Sequence, residues 1–331
     1  MADLKTTYMG LELKNPIIAG ASDLTANIKK IESIEAAGAG ALVIKSLFEE
    51  QIQLEIYKFE EELHKNDELH AEMTSIFPRL EHAGPAEHLM WVRKAKDAVS
   101  IPIIASLNAV NKETWVEYAQ RLSETGVDGL ELNFYSIPTT NHMSAAEIED
   151  SQIDILESVK SAVSIPVSVK LSHFYTNPLH FIARLDVAGA DAIVIFNQLF
   201  QPEIDAFNEK QVFSMTLSDE KDHRLPLRFA GLLYGVTNSS ICASSGIYTG
   251  ADVIKMLLAG ANCVQVVSTL YKHKIDYIST LLNEINQWMD DKGYASVDDF
   301  VGKLSRMKSN DPWAYKRAQY AKMLLKQNPL G

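Results

Sequence analysis

The chain has 331 residues, 47% of them apolar, and a formal net charge of -12. An α/β barrel routinely takes this length, and the apolar fraction is ample for a large core. The acidic balance excludes a nucleic-acid partner, because phosphate backbones select basic surface. No run of about 18 apolar residues exists to span a membrane, and the opening MADLKTTYMG lacks the apolar core of a secretory signal. Two cysteines, Cys242 and Cys263, make neither a disulfide framework nor a zinc cluster. A cytoplasmic globular protein with no metal is expected.

In chain order, TTYMGLELK reads as a hairpin turning at Met9-Gly10. Two kinds of strand then alternate. One kind opens at or near a proline, as in NPIIAGA, SIPIIASL and SIPVSVKL, with SSICASSG as the version lacking it. Proline is tolerated at a strand's first residue because its missing donor lies outside the ladder. The other kind follows a glycine that ends an amphipathic helix, as in AGAGALVIKS, TGVDGLELN, AGADAIVIFN and AGANCVQVVS. Glycine terminates a helix cheaply, and a short apolar run after it reads as a parallel strand buried on both faces. The spacing predicts eight strands, at 15–21, 40–46, 101–107, 128–133, 165–171, 191–197, 240–246 and 263–269. It predicts helices near 27–37, 86–98, 112–125, 145–162, 178–188, 226–234, 250–259 and 274–291. Eight βα units imply a closed (β/α)8 TIM barrel, one domain over 1–331. An open doubly wound sheet would need a glycine-rich turn after the first strand, and GxGxxG is absent there.

Two insertions, 47–85 and 198–225, follow the second and sixth strands, so both fall on the face where barrel active sites lie. The histidines of ELHKNDELHAEM and EHAGPAEHL in the first read as solvated loop. The acidic run from Glu147 to Asp154 reads as a solvated helix face. The tail, 296–327, reads as helical and packed on the barrel's outside.

The C-terminal ends of the strands name the candidate site: Ala19-Gly20, Lys45-Ser46, Ser106 to Asn108, Asn133, Lys170, Asn197, Ser245-Gly246 and Ser268-Thr269. Burying a lysine at a strand end is costly unless it meets an anion or an electron-rich group, and here there are two. The small residues of ASSGIYTGAD and VVSTLYK, each before a helix, suggest a backbone cradle for phosphate after strands seven and eight. Cys242 and Cys263 fall inside adjacent strands and read as core.

Taken together, NPIIAGAS, GALVIKS, ELNFYSIP, VSVKL, FNQ and SSGIYTGADVIKMLLAGANCVQVVSTL resemble the dihydroorotate dehydrogenase family, over roughly residues 4–305. The resemblance implies FMN across the barrel mouth. Ala19 and Gly20 would back the ring, Lys45 with Ser46 and Lys170 would contact it, and Asn133 and Asn197 would bond flavin or substrate amides. Ser245, Gly246, Ser268 and Thr269 would cradle the phosphate. Ser136 falls where the family places its catalytic base, in FYSIPTT, with one residue inserted. The implied reaction removes the C5 proton of dihydroorotate and passes hydride from C6 to the flavin. The chain departs from the pattern elsewhere too. Thr139 replaces an asparagine, AEMTSIFPRLEHAG replaces the loop that grips orotate, and Ser245 and Val267 replace glycines. Three readings follow: dihydroorotate oxidation, a flavin oxidoreductase for another dihydropyrimidine or activated alkene, or a flavin-free lyase or phospholigand-binding barrel. The absence of an amphipathic helix before the first hairpin points to a soluble electron acceptor, and the resemblance to a homodimer.

Overall fold

A computed structural model describes residues 2–50, 52–53, 85–135, 138, 141–198, 201–212, 216–311 and 315–316. The first two strands, β1 (Thr6–Tyr8) and β2 (Leu11–Leu13), form the expected antiparallel hairpin. Met9 and Gly10 turn it at φ 46° and 80°, the left-handed pair that matches the twist of a tight hairpin.

The barrel follows: β3 (Ile17–Ala19), α1 (Ile28–Ala36), β4 (Ala41–Phe48), α2 (Pro85–Ala98), β5 (Ile103–Asn108), α3 (Lys112–Ser123), β6 (Gly129–Phe134), α4 (Ala145–Ala162), β7 (Val167–Leu171), α5 (Pro178–Val187) and β8 (Ala192–Ile195). A small exposed hairpin, β9 (Glu203–Asp205) with β10 (Lys210–Val212), lies within the second insertion. The circuit ends with α6 (Arg224–Leu233), β11 (Ser240–Ser244), α7 (Gly250–Ala259), β12 (Cys263–Val266), α8 (Ser268–His273) and α9 (Tyr277–Lys292). Parallel pairing runs β3-β4-β5-β6-β7-β8-β11-β12 and closes from β12 onto β3. This is the eight-stranded TIM barrel that the repeat implies.

Alternation along each strand divides the core in two. Ile17, Ala19, Leu42, Ile44, Leu130, Leu132 and Val169 pack outward against the helices. Ile18, Val43, Ile104, Val194, Cys242 and Cys263 point into the barrel, where Tyr8, Met9 and Leu13 of the N-terminal hairpin plug its lower end. Both cysteines are free and fully buried, the core role expected of them. In the second half of the inward face the apolar pattern gives way: Glu131, Asn133, Ser168, Lys170 and Gln265 are all buried polar residues.

Two expectations need correction. Ser268 and Thr269 do not end the last strand; it stops at Val266, and they open α8. The tail is not helical over 296–311, where a single 3-10 turn (Val297–Asp299) precedes a series of turns. There, Gly302 N, Leu304 N and Arg306 N donate to Leu257 O, Leu258 O and Gly231 O. These donors satisfy the last carbonyls of α7 and α6 rather than a helical ladder. The acidic face of α4 is solvated as expected and carries surface ion pairs: Arg184 reaches Asp150 at 2.5 Å and Glu149 at 3.5 Å, and Lys112 reaches Asp154 at 2.7 Å.

Candidate active site

A cavity of about 430 Å³ opens at the C-terminal ends of the barrel strands, within the size range of small-molecule and cofactor sites. Lys45, Ser46, Asn133, Lys170, Asn197, Ser245, Gly246, Ser268 and Thr269, drawn from every strand end but two, all line it. The sequence expectation and the cavity therefore coincide for most positions.

Lys45 and Ser46 share the wall because β4 bulges there. Ile44 pairs with Ala105 and Leu47 with Leu107, so three steps on β4 span two on β5. A bulge re-aims side chains that strict alternation would send to opposite faces. Ser46 Oγ lies 2.6 Å from Ser106 Oγ. Lys45 Nζ pairs with Asp23 Oδ1 at 2.6 Å, both side chains partly exposed, so the pair contributes little to stability.

On the far wall, Asn133 and Lys170 are register partners on β6 and β7. Asn197 Nδ2 donates to Asn133 Oδ1 at 3.1 Å. Lys170 Nζ donates to Gln265 Oε1 at 2.9 Å, and Gln265 Nε2 donates to Glu131 Oε2. Glu131 and Gln265 line the cavity as well. Neither stands among the residues expected from strand ends, because each lies inside its strand. Their signal is a polar residue at an inward position of an otherwise apolar run, LELN and VQVV.

The two loops expected to hold phosphate are tied to each other and to a third segment. Ser245 and Gly246 are consecutive left-handed residues, φ 78° and 70°, and Ser245 Oγ donates to Phe196 O at 3.0 Å. Gly246 N donates to Ser218 Oγ at 3.1 Å, and Ser218 Oγ lies 3.0 Å from Ser268 Oγ. Ser218 comes from the second insertion, so that insertion folds onto these two turns. Thr269 Oγ1 donates to Ile247 O, tying the two loops together. The start of α7 is not free for phosphate, because Thr249, Asp252 and Glu284 already accept its first N–H groups.

Two expected residues sit elsewhere. The Ala19 side chain packs among the helices, outside the cavity lining, since alternation turns it away from the barrel axis. Gly20 lies under the wall: a Cβ there would come within 2.7 Å of Val267 Cγ2 and 3.3 Å of Gln265 Oε1. Ser136 and Thr139 lie outside the described residues, as does AEMTSIFPRLEHAG, the segment in place of the orotate loop. A second cleft, of about 440 Å³, shares Asn197, Gln198 and Ser245 with the first and is edged by Lys221, Arg224 and Arg228.

His88 corrects the solvated-loop reading of EHAGPAEHL. It lies on α2 with Nε2 buried and without a partner among the described residues. Burial, reinforced by the Lys45 cation, lowers its pKa to about 4. A folded value below the unfolded one, about 6.5, means stability is fully present above pH 6.5 and falls as the pH drops toward 4. His88→Phe is expected to remove about 2 kcal/mol of that pH-dependent loss. Urea unfolding at pH 7 and pH 4.5 checks this: an equal loss of unfolding free energy between the two pH values in variant and wild type contradicts it.

The family model described as dihydroorotate dehydrogenase matches residues 80–289. The catalytic subunit of dihydroorotate dehydrogenase B (NAD(+)) from Thermoplasma volcanium is 27% identical over 307 residues, covering 91% of this chain and 98% of the relative. The corresponding Methanocaldococcus jannaschii subunit is 27% identical over 310 residues, 90% of this chain and 97% of its own. A putative dihydroorotate dehydrogenase A (fumarate) from Aeropyrum pernix is 26% identical over 315 residues, 92% and 98% of the two chains.

Proposed function

We propose, given that this chain belongs to the dihydroorotate dehydrogenase family, that its cavity binds FMN and that it oxidises dihydroorotate to orotate. Membership makes the protein an oxidoreductase acting on a CH–CH bond. The single observation that supports the FMN reading best is Lys170, a buried ammonium lining a cavity of cofactor size. Gln265 accepts one of its three N–H donors and Glu131 lies 3.8 Å away, so the ammonium keeps donors for an electron-rich group above it, and the walls of this cavity also carry amide, hydroxyl and left-handed backbone groups suited to a phosphorylated cofactor.

When bound, FMN would supply the two-electron acceptor for the oxidation. Lys170 and Lys45 would set cations beside the ring, with Ser46 next to them, where fixed positive charge stabilises developing negative charge. Gly20 and the main chain of Ala19 would back the ring. Ser245, Gly246, Ser268 and Thr269 would hold the phosphate, and Ser218, already bridging Gly246 N and Ser268 Oγ, belongs to the same cradle. Asn133 and Asn197, already bonded to each other, would orient the amide groups of substrate or flavin. Ser136 would take the C5 proton. The reading is completed by a soluble electron acceptor, a homodimer and a cytoplasmic location.

Anaerobic titration with dihydroorotate tests the assignment. Bleaching of the bound flavin in proportion to substrate is the expected result. A flavin that dihydroorotate leaves oxidised, but that another dihydropyrimidine bleaches or that, once chemically reduced, an activated alkene reoxidises, favours the second reading. The sequence AEMTSIFPRLEHAG, in place of the family's orotate-gripping loop, is the observation that keeps this second reading in play.

A further inference from the structure

Three strands deliver three buried side chains to one point under the cavity: Glu131 from β6, Lys170 from β7 and Gln265 from β12, exposed by 0%, 6% and 1%. Their arrangement is not a contact ion pair. Lys170 Nζ is 3.8 Å from Glu131 Oε1, beyond hydrogen-bonding distance. Gln265 stands between them, accepting from the lysine and donating to Glu131 Oε2. Glu131 Oε1 is buried with no hydrogen-bond partner among the described residues. Of the three donors of the Lys170 ammonium, Gln265 takes one; no other acceptor is found among the described residues.

A carboxylate this close to an ammonium in a low-dielectric interior is strongly coupled to it. The pair presents a dipole to the cavity rather than a full positive charge, and a dipole's field falls off more steeply than a monopole's. Removing Glu131 would therefore uncover the Lys170 charge toward whatever lies above it. Gln265 keeps the two charges apart, so the compensation is partial.

We propose that Glu131 is a positioning residue whose carboxylate, held beside Lys170 through Gln265, offsets the lysine's charge toward the cavity and so holds down the reduction potential of bound FMN. The proposal rests on the FMN reading given above. Its premise is an electrostatic link that a purely architectural carboxylate would not have. An architectural role predicts lost stability and an unmoved potential.

The test uses the full chain loaded with FMN, with midpoint potentials read by spectroelectrochemical titration. Glu131→Gln keeps the shape and removes the charge. It is expected to tighten binding of reduced relative to oxidised FMN about tenfold, a rise of about 30 mV for a two-electron couple. Glu131→Asp keeps the charge but draws it back, and should raise the potential less; it carries the test if Glu131→Gln does not fold. An unchanged or lowered potential in flavin-loaded Glu131→Gln overturns the proposal. Failure of the wild type to bind FMN is a different result: it removes the cofactor reading itself, and this inference with it.

Discussion

Gly246→Glu is expected to weaken FMN binding about 100-fold or more, from strain and repulsion together. Gly246 sits at φ 70°, where an L-residue costs roughly 1–2 kcal/mol. A Cβ added there would lie 2.3 Å from His223 N and 2.8 Å from Asp219 O. These are backbone atoms of the second insertion, which cannot yield without shifting the whole turn. The glutamate would then bring a negative charge to the place proposed for phosphate. Gly246→Ala separates the two contributions, keeping the strain and clash without the charge. Fluorescence titration of the flavin-free protein with FMN measures both. Wild-type affinity in Gly246→Glu would place the phosphate elsewhere. Ser245→Gly is the contrasting variant: it relieves a left-handed serine and should retain flavin.

The second large effect concerns the base. Ser136→Ala is expected to slow substrate-dependent flavin reduction by about 10²–10⁴-fold, the usual contribution of a positioned general base, with FMN affinity unchanged. A serine hydroxyl is a weak base at its ordinary pKa and needs help from its surroundings. Ser136→Cys should keep activity and lower the pH optimum, because a thiol ionises near about 8.5. Rapid-mixing reduction under anaerobic conditions reads all three proteins. Reduction of Ser136→Ala at the wild-type rate removes the hydroxyl from the mechanism.

The barrel was legible because its signals are local and repeated. A glycine ending a helix before GALVIKS, GLELN, AIVIFN or CVQVVS states the helix stop and the strand start together. Ends of elements were less legible. Ser268 and Thr269 follow Val266 with nothing in VVSTL to mark where the ladder stops, and they open α8 instead. The tail from 296 to 311 has an amphipathic composition, yet its backbone bonds go to the last carbonyls of α6 and α7, a long-range choice that no local pattern records.

The site divides in the same way. Lys45, Lys170, Asn133 and Asn197 stand at strand ends, where a barrel gathers its chemistry, so position alone found them. Ser218 could not be found so. It reaches Gly246 and Ser268 from a distant insertion, a contact that only the folded chain makes. Glu131 and Gln265 were visible in principle, as polar residues on the inward face. What was missing was the rule that the upper layer of a barrel's interior can be polar while its lower layer, with Ile18, Val43 and Cys242, is not. The Ala19 side chain leaves the cavity for the converse reason, since the alternation that turns Ile18 inward turns its neighbour out.

The most direct measurement is the absorbance spectrum of the purified protein, before and after incubation with FMN, with the released cofactor identified after denaturation. The account predicts a yellow protein that retains FMN in stoichiometric amount. A well-folded chain that stays colourless and takes up no FMN contradicts it.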